Sequence, residues 1–78
     1  MHGIITAVSR QAVIKRINRA LAKEDEALRT TRGDRWRIDL GDHYLLNLRT
    51  NAIAATHVDP EELGRELGVL KRWEHLAE

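Results

Sequence analysis

Apolar residues first recur at helical spacing between residues 13 and 21, where Val13, Ile14, Ile17, Ala20 and Leu21 form one stripe. Ser9 stands ahead of the stripe as an N-cap, and Val8 and Val13 have the spacing of a hydrophobic staple. A helix is therefore expected from Ser9 to about Lys23. Lys15, Arg16, Arg19 and Lys23 fall on roughly the opposite side of it. Glu24, Asp25 and Glu26 would oppose the dipole at a helix C-terminus, which puts them in the exit or in the next strand.

The pattern then shortens to a period of two. EALRTTRG has the composition of a weak strand, and Arg-Gly-Asp after it reads as a turn. In WRIDLG, Trp36, Ile38 and Leu40 alternate with Arg37 and Asp39, which predicts a half-buried strand. HYLLNLRT continues with Tyr44, Leu46 and Leu48. Both apolar sets share a face when Trp36 pairs with Leu48, Ile38 with Leu46 and Leu40 with Tyr44, leaving Gly41, Asp42 and His43 as the connection. AIAATHV gives a further strand. VDPEEL then opens a helix, with Asp59 as N-cap, Pro60 at the first helical position, Glu62 at the capping-box position, Val58 and Leu63 at staple spacing, and Gly68 as terminator. VLKRWEHLAE reads as a tail or short helix that packs back through Val69, Leu70 and Trp73. The prediction is an α+β fold in the order α-β-β-β-α. Its antiparallel sheet has three or four strands, with the helices on one face.

Seventy-eight residues, 42% apolar and 32% charged, suit a single small domain spanning residues 1–78. With no Phe, the core must be mainly Leu, Ile, Val and Ala, and a core that thin gains from a partner. Having no cysteine excludes disulfides, a thiolate nucleophile and Cys-based zinc sites. No apolar run approaches a membrane span, and MHGIITAVSR lacks the basic start and apolar stretch of a secretory signal, so the cytoplasm is the expected address.

Charge is unevenly placed. Residues 1–23 hold Arg10, Lys15, Arg16, Arg19 and Lys23 and no acid, while the rest carries a net −4. A basic cluster of this kind attracts phosphates, although a charged helix face is more often simply solvated. The α-β-β-β-α order resembles the double-stranded-RNA-binding domain over most of the chain. In that family the second helix opens with lysines that face phosphates. Here it opens with Asp59, Glu61 and Glu62, which repel them, so the resemblance is one of topology. His43 and His57 are the two histidines that could meet, at one end of a hairpin, and without a clear third ligand they do not make a metal site. Ser9 is used as a cap, and no nucleophile-and-base spacing or Gly-rich phosphate loop appears. The expectation is a protein with no enzymatic activity, cofactor or metal.

On the predicted sheet, Leu45 points away from the helices, joined by Ile53 and Ala55 or by Ala54 and Val58. An uncovered apolar face reads as a contact surface for a second copy or another protein, lined by Arg37, Leu45, Arg49 and Ile53. The alternative is nucleic-acid binding through Arg10, Lys15, Arg16, Arg19 and Lys23. RINRALAKEDEALR, LGDHYLLNL and THVDPEELGRELGVLKRWE together resemble small uncharacterised proteins of bacterial plasmids and integrated mobile elements. The resemblance implies a cytoplasmic accessory or regulatory protein that acts by binding, as an inhibitor of a host defence system would. A homodimer contacting through its open sheet face is the leading expectation.

Overall fold

The computed structural model describes residues 6–77. A short strand, β1 (Thr6–Ser9), leads into α1 (Arg10–Leu21) and a single 3-10 turn, after which the chain enters β2 (Glu26–Thr30). Next come α2 (Asp34–Leu40), β3 (His43–Asn47), β4 (Ile53–Ala55), α3 (Pro60–Glu66) and β5 (Glu74–Ala77). β2, β3 and β4 form an antiparallel sheet in that order, while β1 and β5 pair in parallel as a separate two-stranded sheet. The fold is α+β, and its order is β-α-β-α-β-β-α-β rather than α-β-β-β-α.

α1 begins as its sequence dictates, with the Ser9 hydroxyl accepting from Ala12 N–H at 3.1 Å. Val13, Ile17 and Leu21 are buried on its stripe. The acids do leave the helix: Glu24 ends the 3-10 turn, Asp25 turns the chain at φ 57°, and Glu26 opens β2. At the other helix, Asp59 accepts from Glu61 N–H at 3.0 Å, Pro60 takes the first position, and Gly68 closes the exit at φ 75°. α3 packs on α1 at Gly64, where a Cβ would meet Val13 at an ordinary 3.5 Å and Leu70 more tightly at 3.3 Å. Val8, Val13, Ile17, Leu21, Leu28 and Leu70 form the core, with Leu45, Val58, Leu63 and Leu76 packed against it. Of the tail residues expected to pack back, Leu70 is buried and Val69 partly so, whereas Trp73 is exposed.

Four expectations about the middle of the chain are corrected. WRIDL is helix α2, not a strand. Trp36 and Leu40, four apart, fit a helical face as well as an alternating one, and Ile38, which only a strand would bury with them, is 83% exposed. Since β2 takes the place meant for WRIDL, β3 pairs with it through Leu28–Leu45 and Arg29–Tyr44, not with Trp36, Ile38 and Leu40. Leu45 accordingly lies on the covered face. Finally, Gly41 and Asp42 alone link α2 to β3, and His43 is already a buried strand residue.

Candidate functional site

The three-stranded sheet has one covered and one open face. Leu28 and Leu45 are opposite each other and belong to the core, while the alternate residues Arg29, Tyr44 and Leu46 point away from it. Ile53 pairs with Leu46, and a register shift then sets Ala55 against Leu45, so the bulge divides β4 between the two faces. α2 runs beside the open face. Together they frame a groove of about 730 Å³ lined by Arg29, Arg32, Trp36, Leu40, Tyr44 and Leu46, with Thr31 also in its wall. Trp36 is 51% exposed and carries the Arg35 guanidinium over its ring at 5.3 Å. Arg29 and Arg32 have no ion-pair partner among the described residues, and no acid lines the groove. The Thr31 hydroxyl is buried without a hydrogen-bond partner there.

The residues expected at the interface separate. Ile53 is exposed beside Leu46 on the open face. Arg37 is tied to Asp34 at 3.1 Å and Asp42 at 3.2 Å, beside a different cavity. Arg49 sits in the β3–β4 connection, 3.8 Å from Asp25. The basic set also disperses. Lys15 and Arg19 are exposed along α1 and Lys23 on the 3-10 turn after it, while Arg16 donates to the Val69 carbonyl at 3.0 Å and to Glu74 at 2.9 Å. The Arg16 hydrogen bond foremost, and after it the bond from the Lys71 main-chain N–H, depress the Glu74 carboxyl below its ordinary range. Arg10 lines the second cavity.

That cavity, about 520 Å³, gathers Arg10, Arg37, Asp42, His43, His57 and Asp59. Its chemistry is largely committed to holding the fold. Asp59 caps α3, and Asp42 neutralises Arg37. His57 donates from its main-chain N–H to the Leu40 carbonyl at 2.8 Å, and its Nε2 lies 3.2 Å from the Ile38 carbonyl. A carbonyl only accepts, so Nε2 carries the proton and the ring closes the C-terminus of α2. His43 Nδ1 is 3.3 Å from the Thr30 hydroxyl, and burial, aided by the Arg10 charge, lowers its pKa. The two histidines thus line one cavity as expected. Among the described residues, however, no three His, Cys, Asp or Glu side chains gather with metal-holding geometry. No described helix is long and apolar enough to cross a membrane.

The groove was missed in the sequence because its residues come from β2, the β2–α2 connection, α2 and β3, and are brought together only in the fold. The available signal was Arg29, Arg32 and Arg35 preceding Trp36, which a strand assignment for WRIDL scatters. Comparison of the chain with protein families, curated proteins and solved structures gives no match.

Proposed function

We propose that the protein is a non-catalytic binding module whose working surface is the groove between α2 and the open sheet face, and that its partner is a polyanion. The observation that carries this reading is the pairing of apolar and aromatic surface with two arginines that, among the described residues, have no ion-pair partner and no acid beside them in the groove. An isologous contact between two copies would bring this basic patch against itself, which disfavours the homodimer at this face. The basic residues of α1 lie on the other layer, and Arg16 is already neutralised. The resemblance to mobile-element proteins fits an accessory role exerted by occupancy, such as inhibition of a host defence system.

Retention on immobilised heparin tests the reading. Arg29→Glu with Arg32→Glu should abolish retention at physiological salt, whereas Lys15→Glu with Arg19→Glu, an equal change in net charge, should shift elution only slightly. The opposite ranking would move the site to α1 and sink the proposal.

A further inference from the structure

Resting on that reading, we infer that the occupant of the groove is a single-stranded nucleic acid, with bases stacked on Trp36 and Tyr44 and phosphates held by Arg29 and Arg32. A single strand presents flat apolar rings at intervals along a chain of negative charge. Proteins that bind such strands without reading sequence combine a basic groove with aromatic platforms. Here both components line one groove. Trp36 is half exposed at its rim, and the Arg35 guanidinium lies over the ring as the third layer of a base–indole–guanidinium stack. Leu40 and Leu46 supply the apolar floor. A duplex offers only its outer backbone to such a surface, since its bases are already stacked on one another. An acidic peptide would use the arginines but would leave the two rings without stacking partners.

Fluorescence anisotropy with labelled single-stranded DNA, single-stranded RNA, the matching duplexes and poly-glutamate separates these cases. Single strands should bind at least about tenfold tighter than the duplex. Trp36→Ala or Tyr44→Ala should weaken single-strand binding about tenfold, within the range for losing one stacked base, with the salt dependence unchanged. Trp36→Phe should restore much of the loss. Neutralising both arginines, Arg29→Gln with Arg32→Gln, should reduce the slope of log affinity against log salt by about 1.4, since each single-strand phosphate contact contributes about 0.7. All four side chains line an open groove, so circular dichroism should report an intact fold in each variant. Tighter binding of poly-glutamate, with the arginines still required, would overturn the nucleic-acid inference and leave the polyanion groove standing. Indifference to Trp36 and Tyr44 would overturn it too. Loss of heparin retention only on mutating α1 would remove both.

Discussion

His43 is the residue whose surroundings most directly set a measurable property. It lies in β3 with its ring buried against Thr30, and both its burial and the nearby Arg10 charge disfavour protonation, against a smaller opposing pull from Asp42 and Asp59. An unfolded chain takes up this proton near the ordinary value of 6.5, while the folded chain resists it. The unfolded state therefore binds more protons as pH falls, and stability should drop as pH falls from 6.5 through the lower folded value. Urea midpoints at pH 7.5 and pH 5.0 check this, and His43→Asn should shrink the difference between them. A variant as pH-sensitive as the parent would refute the assignment. Glu74 acts in a lower window, because its folded carboxyl is depressed. The contribution of its bond to Arg16 is present above the ordinary value of 4.5 and lost as pH falls through the folded value.

Among the elements, α2 joins the core framework least firmly. It buries no residue fully, and its C-terminal end is held through His57. The link from α2 to β3 passes through Gly41 at φ 76°, where an added Cβ would come within 2.7 Å of the His57 Cα. Gly41→Ala combines a left-handed strain with a backbone clash, and a loss of about 2 kcal/mol or more is expected from urea denaturation. The same change should loosen α2 and weaken groove binding. α1 and α3 could be read from sequence because a cap is a local interaction: Ser9 and Asp59 each bond to a main-chain N–H within three residues. WRIDL could not, because five residues fit a period of 2 and of 3.6 alike, and the exposure that decides belongs to Ile38 in the folded molecule. The pairing of β1 with β5 joins opposite ends of the chain, and no local pattern in TAVS or EHLA records it.

At the scale of the molecule, the protein is thin. Its extents are 46 × 29 × 15 Å, and its radius of gyration of 13.4 Å exceeds the roughly 11.5 Å expected for a compact chain of this length. Among the described residues, the face of the sheet that carries Tyr44, Leu46 and Ile53 has only α2 beside it, so Tyr44 and Leu46 are half-buried and Ile53 is exposed. An open face was legible in the sequence, and which side it lay on was not, since that depends on β2 rather than WRIDL being the partner of β3. The two sides make a direct test. Leu45→Asp should unfold the protein, because Leu45 packs on the core, whereas Leu46→Asp should leave the thermal melt nearly intact and damage binding. If Leu45→Asp folds and Leu46→Asp does not, the faces are reversed. The sheet also has unequal edges. The Asn18 side chain accepts from Leu28 N–H at 2.6 Å and donates to the Leu28 carbonyl at 3.3 Å, imitating a neighbouring strand along the outer side of β2. Among the described residues, a strand adding on the β2 side would have to displace Asn18 from Leu28, whereas β4 lies at the other edge of the sheet. One amide side chain thus works against strand addition on that side, and so against open-ended fibre growth.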